Sequence, residues 1–512
     1  MPEAMPAAAE SPPDIDAAFA VATVRERAAR AQLRAAIREL GREGGGYTHE
    51  RLDRLIRLED HFQAHLLYGQ LEFLREVGTP SDPEREFALD IQRIHLDAAN
   101  GFQRFLRNRA SWARSREMLE TMYRVTGLAV NAIHGAAKWG YFLGETGRHA
   151  AWKQLHALFA LAEADGYARA PFVLHASSPH YAPTVESLYI RALLLDALNT
   201  GTLTRPQVEI ADGWLAAWSA GYAIEKGGRP ETHTFLVDLA SSEGLVVASR
   251  GPKAANPRYL RADAMRSDIE ALQASLRKGQ LAAPVGAGAV FPIEEHAALV
   301  AAVEKLERSM ALGGQARARG RVAFEDREAD VCTGMERVLR KVREAHEAGT
   351  PEEGALRFPA IPDPEVERWR VRDVSTTGYG LLVDRTASEA AALNGIVALR
   401  NHETGGWIVG TIVRKLPGAV RGEVLLGVEV VGYRPIPVEL EPEGPSNVPA
   451  LFLPGDAADG RADSLLLPLG DFRVGNRYAV RVGGARYHVR LNRIAAKGAD
   501  WVNARYEIES KA

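Results

Sequence analysis

The sequence predicts a multidomain α+β protein: a helical N-terminal region, then a small closed β-barrel or sandwich, then a further β unit. Three observations carry this. The chain has 512 residues, too long for one hydrophobic core. Residues 14–222 repeat apolar side chains at three-to-four spacing, the period of a half-buried helix. From 311 onward the pattern becomes short strands at regular spacing, punctuated by Gly, Asn and Pro.

Residues 1–13, MPEAMPAAAESPP, lack a basic segment and an apolar run, so they read as a disordered leader and not as a signal peptide. Helices follow in 14–222. The first is rich in Ala, Leu, Arg and Glu and stops at the glycines of GREGGGY. The second repeats Leu52, Leu55, Ile56, Phe62 and Leu66 on one face. A third starts where Asp82 can cap and Pro83 suits the first helical position. Three more are expected at 115–144, 149–165 and 184–199, and a last one places Trp214 and Trp218 on one face. Short connections point to a bundle or an irregular helical repeat, a surface for an unidentified protein partner.

Residues 223–310 read as a small mixed α/β module. It holds a hairpin around Ser-Ser-Glu-Gly and one helix. A barrel is expected over 311–436, with a helical insert, MERVLRKVREAHEAG, after its first strand. Prolines at 437, 442, 445 and 449 mark a linker over 437–449, and a β unit follows at 450–512.

Composition excludes several functions. Net charge is −3, which argues against a general nucleic-acid binder. The single cysteine, Cys332, leaves no disulfide framework and no multi-cysteine zinc site, and it reads as a small core residue. The apolar runs are short or carry charges, so no membrane insertion is expected, and the expected location is cytoplasmic. No catalytic constellation is present, so the chain is not expected to be an enzyme. HASSPH (175–180) has no nucleophile elbow, GAGAV (286–290) completes no phosphate-binding loop, and His61 with His65 lacks a third metal ligand. No cofactor is expected.

One constellation does carry chemistry. In DVSTTG, Asp373 and Ser375 are two apart on a strand and point the same way, and Gly378 permits a positive φ or a close ligand approach. A carboxylate and a hydroxyl on one face suit guanine, which offers two N–H donors. Upstream, RARGR carries Arg317 and Arg321, whose guanidinium groups suit phosphates and base faces. Two plainer readings stand beside this one: a solvated basic loop, and an Asp and a Ser that cap a turn.

An Arg-x-x-x-Arg segment followed by Asp-x-Ser-x-x-Gly on barrel strands resembles the PilZ domains, which bind the bacterial second messenger cyclic di-GMP. The resemblance covers about 311–436. It implies a six-stranded antiparallel β-barrel and a cyclic di-GMP site made of Arg317, Arg321, Asp373, Ser375 and Gly378. The motifs are separated by residues 322–372, and the helical insert accounts for the length. On this reading the chain is a cytoplasmic signalling effector. Its nucleotide would order the arginine loop about Gly313 and Gly314 and so modulate what the helical region binds. The alternative is a helical scaffold with a degenerate, non-binding barrel.

Overall fold

The computed structural model describes residues 27–42, 46–75, 80–111, 118–145, 149–198, 203–228, 235–248, 254–261, 263–281, 291–293, 295–300, 303, 322–348, 363–375, 377–400, 406–417, 422–442, 447–455, 462–482 and 485–511. The chain forms two compact units, Met1–Leu306 and Glu307–Ala512.

The first unit is mainly helical. Its helices are α1 (Arg27–Leu40), α2 (His49–Arg75), α3 (Asp82–Arg107), α4 (Met118–Phe142), α5 (His149–Ala164), α6 (Val185–Ala197) and α7 (Arg205–Trp218). The third helix begins one residue earlier than its prolyl signal suggests. Ser81, not Asp82, is the N-cap, and the Glu84 carboxylate accepts hydrogen bonds from the Ser81 N–H and Oγ–H, both at 2.7 Å. Helix α4 lies at the centre, packed on α3, α5, α6 and α7, and is buried almost all round. Two glycines notch it for close neighbours. A Cβ on Gly127 would lie 2.0 Å from the Phe172 ring, and one on Gly135 would lie 2.6 Å from the His95 ring.

A polar seam runs along α4. Arg124 reaches Asp60 at 2.7 Å, His134 Nε2 meets Asp212 at 2.8 Å, and Lys138 Nζ donates to Asp212 at 2.7 Å. Arg191 adds two bonds to the same Asp212 carboxylate, at 2.6 and 2.7 Å. Burial alone would raise the Asp212 carboxyl, but the charges of Arg191 and Lys138 hold it well below the usual carboxylate range. Burial lowers the His134 imidazole below its usual value, against the pull of Asp212. A carboxylate this buried persists because its partners compensate its lost hydration.

Four short strands follow in this unit: β1 (Ile224–Glu225), β2 (Phe235–Asp238), β3 (Val246–Val247) and β4 (Pro257–Leu260), in the order β1-β4-β2-β3, and then α8 (Asp263–Arg277). The pair β2–β3 is the hairpin around Ser-Ser-Glu-Gly.

The second unit holds two closed six-stranded antiparallel barrels. The first is built from β5 (Val322–Thr333), β6 (Glu367–Ser375), β7 (Gly378–Asp384), β8 (Ile396–Arg400), β9 (Trp407–Pro417) and β10 (Glu423–Gly432), with α9 (Met335–Glu347) after β5 and α10 (Arg385–Ala390) after β7. Its interior is filled by Ala329, Val331, Trp369, Val371, Leu381, Val397, Leu399, Ile412, Leu426 and Val428. The second barrel comprises β11 (Ile436–Pro442), β12 (Val448–Leu453), β13 (Ser464–Pro468), β14 (Arg477–Val482), β15 (Ala485–Lys497) and β16 (Trp501–Lys511).

The proline-rich stretch 437–449 is therefore not a linker. It supplies β11 and the start of β12, with Pro437 opposite Leu451 and Pro449 opposite Glu439. Antiparallel ladders alternate bonded and non-bonded pairs, so a proline is tolerated where its missing N–H is not called on.

The two barrels share a strand order. Round the first it is β5-β6-β7-β10-β9-β8, and round the second β11-β12-β13-β16-β15-β14. Numbered from each barrel's first strand, both read 1-2-3-6-5-4. They meet through α9 and one apolar cluster: Cys332, Met335, Val338, Leu339, Val342, Ile396, Ala398, Trp407 and Val409 from the first, Leu451, Leu453, Leu466 and Trp501 from the second. Burial pushes the Cys332 thiol up to about 12. Helix α9 starts at Gly334, whose φ of 87° favours glycine, and Asp500 of the second barrel accepts the Met335 N–H at 2.9 Å. Trp501 Nε1–H donates to the Asn394 carbonyl at 2.8 Å.

Candidate functional site

The motif DVSTTG is the closing end of the β6–β7 hairpin. Asp373 pairs with Gly380, Val374 with Tyr379, and Ser375 with Gly378. Val374 and Tyr379 pack against the barrel interior. Strand alternation therefore puts Asp373 and Ser375 together on the outer face, each opposite a glycine. The Ser375 hydroxyl donates to the Gly378 carbonyl at 3.3 Å, and Val430 N–H donates to the Thr377 carbonyl at 2.9 Å, which ties the hairpin tip to β10.

Each glycine has a steric reason. A Cβ on Gly380 would lie 2.7 Å from Asp373 Oδ1, so the carboxylate folds over bare backbone. A Cβ on Gly378 would lie 2.3 Å from the Val428 carbonyl oxygen. Gly378 is absent from the positive-φ glycines, so it is needed for the close approach of β10 and not for a left-handed turn.

The ladder slips between Val371 and Asp373, leaving Arg372 at a bulge. Its Nε donates to Asp373 Oδ2 at 2.7 Å, and Nη2 lies at the same distance from that oxygen. Asp373 is only 6% exposed, while Arg372 is half exposed. Sequence spacing gives no sign of this pair, because neighbouring residues on a regular strand point to opposite faces.

Arg317 and Arg321 lie outside the described residues. The strand that follows them enters the barrel beside the motif: Val322 pairs with Val374 and Ala323 with Asp373.

The equivalent strands of the second barrel differ. There the last two hairpin pairs on the outer face are Leu451 with Leu466 and Leu453 with Ser464. The three leucines lie in the cluster between the barrels. Where the first barrel carries a carboxylate, a hydroxyl and glycines, the second carries a packed apolar surface.

Among known protein families, one described as "Cyclic-di-GMP receptor FimW, N-terminal domain" matches residues 22–229, in the helical unit. No curated protein and no solved structure matches the chain. Among the described residues, no helix is long and apolar enough to cross a membrane.

Proposed function

We infer that this protein is a cyclic di-GMP receptor that acts by binding and not by catalysis, with its nucleotide site on the PilZ-like first barrel. The observation that carries the reading is the outer-face pair Asp373 and Ser375 over Gly380 and Gly378, with the strand after Arg321 paired beside it. A carboxylate accepts the two donors on guanine's Watson–Crick edge, and a hydroxyl adds a third polar contact. Arg317 and Arg321 supply the cations that the two phosphates require.

Independent support comes from elsewhere in the chain. The helical unit resembles the N-terminal domain of a family described as a cyclic di-GMP receptor, and the motifs on the barrel lie outside that match. The arginine segment precedes β5 directly, so its ordering by a nucleotide is a route by which binding modulates what the helical unit contacts.

One observation favours the alternative, a scaffold with a barrel that no longer binds. The Asp373 carboxylate is already engaged by Arg372. A bound guanine must share or displace that contact. Calorimetric titration of the full chain with cyclic di-GMP separates the two readings. Saturable binding, lost in Asp373→Ala and in Arg321→Ala, is the expected result. A flat titration of the unmodified protein refutes the receptor reading.

A further inference from the structure

The outer face of the first barrel continues past Asp373. Asp373 on β6 pairs with Gly380 on β7, Gly380 with Gly427 on β10, and Gly427 with Arg414 on β9. The row is thus a carboxylate, two glycines and an arginine. Three ladder steps of about 4.8 Å set the end Cα atoms roughly 14 Å apart. The next row runs Ser375, Gly378, Glu429 and Thr411.

Both ends lean over the glycines. The Asp373 carboxylate lies over Gly380, as described. A Cβ on Gly427 would lie 2.9 Å from the Arg414 Cβ and 3.7 Å from its Cδ, so the arginine stem lies along Gly427. Arg414 is half-buried, with its stem on this face. The strand that follows Arg317 and Arg321 enters on the opposite side of Asp373, at β5.

A cyclic dinucleotide is two nucleotides long and carries two phosphates. If one guanine is read at Asp373 and the β5 side supplies the first cations, the second half extends over the glycine floor. Side chains longer than hydrogen would block that floor.

We propose that Arg414 is a further ligand-contacting residue, its guanidinium taking the phosphate of the half of the cyclic dinucleotide that lies over Gly380 and Gly427. The inference rests on the cyclic di-GMP reading and extends it to a strand that neither motif includes. Arginine suits the role because its planar fork binds two phosphate oxygens at once.

The test is calorimetric titration of the full chain with cyclic di-GMP at low and high NaCl, for the unmodified protein, Arg414→Gln and Arg414→Lys. Arg414→Gln keeps most of the stem that covers Gly427 and removes the charge. It is expected to weaken binding about 10–100-fold at low salt, the loss typical of a charge-assisted hydrogen bond. The loss shrinks at high salt, where the phosphate–guanidinium attraction is screened. Arg414→Lys, which keeps charge but not the fork, falls between the two and covers the case in which Arg414→Gln does not fold. Equal affinities for all three overturn the proposal and leave the receptor reading standing. A loss of the same size at both salt concentrations also overturns it, because that marks a packing role. Absence of binding by the unmodified protein overturns the receptor reading, and the proposal with it.

Discussion

His95 holds its ring edge-on to Phe62, with centroids 5.0 Å apart, and fits the notch left by Gly135. Burial drives its imidazole down from 6.5 to about 3, helped by the nearby charge of Lys138. The unfolded chain takes up that proton below pH 6.5, whereas the folded chain does not until about pH 3. Stability due to His95 is therefore complete above 6.5 and is lost as pH falls through the window. Denaturant unfolding of the helical unit should lose about 1.4 kcal/mol per pH unit from this one group. His95→Leu should flatten the slope, and an unchanged slope in that variant refutes the assignment. Asp212 acts with the same sign further down. Its depressed carboxyl contributes above 3.8, and that contribution disappears as acid protonates it. At this scale the sequence was partly legible. The two-residue spacing of Asp373 and Ser375 implies a shared face, and they share one. The cause of Gly378 was hidden, because the carbonyl it must clear belongs to Val428 on a strand far along the chain. Arg372 was hidden by its bulge and Arg414 by its register, since neither bulge nor register is written in local spacing.

Helix α9 shows how an inserted element becomes a joint. Its strand-side residues Met335, Val338, Leu339 and Val342 enter the cluster between the barrels, while Arg340 pairs with Glu365 on its outer side. The carboxylate at its N-terminus comes from Asp500, in the other barrel. That contact satisfies an amide that has no intrahelical acceptor and complements the positive helix end. Asp500→Ala should cost about 1 kcal/mol in global stability, read by chemical denaturation, and Asp500→Asn should recover most of it. No loss in Asp500→Ala would mean that solvent serves this amide equally well. Helices were the most legible elements because their amphipathic period spans many residues. The proline-rich segment was the least legible: its prolines signal a break, yet β11 and β12 pair through it. β12 and β13 are also buried on both faces, so their apolar runs lack the alternation that marks a half-buried strand.

For the whole molecule, the two barrels share side chains and do not merely touch. Trp501 is 1% exposed and packs among residues of both. Trp501→Ala should cost about 3–5 kcal/mol. Hydrogen exchange should show protection falling in β8 and β9 of the first barrel as well as in β12 and β13 of the second. Loss confined to the second barrel would show that the two fold independently. The division into a helical part and a β part was legible from the change in hydrophobic period near the middle of the chain. That the last β segment closes into a barrel of the same strand order was not, because closure depends on pairings between β11 and β14 that no local pattern encodes.

Seated on α9, capped at Asp500 and pinned at Trp501, the second barrel is a buttress fixed to the first. It braces the flank of the first barrel formed by β8 and β9, opposite in strand order to the β6–β7 hairpin. The hairpin that carries Asp373 and Ser375 therefore lies across the barrel from a wall that shares a core with a second barrel.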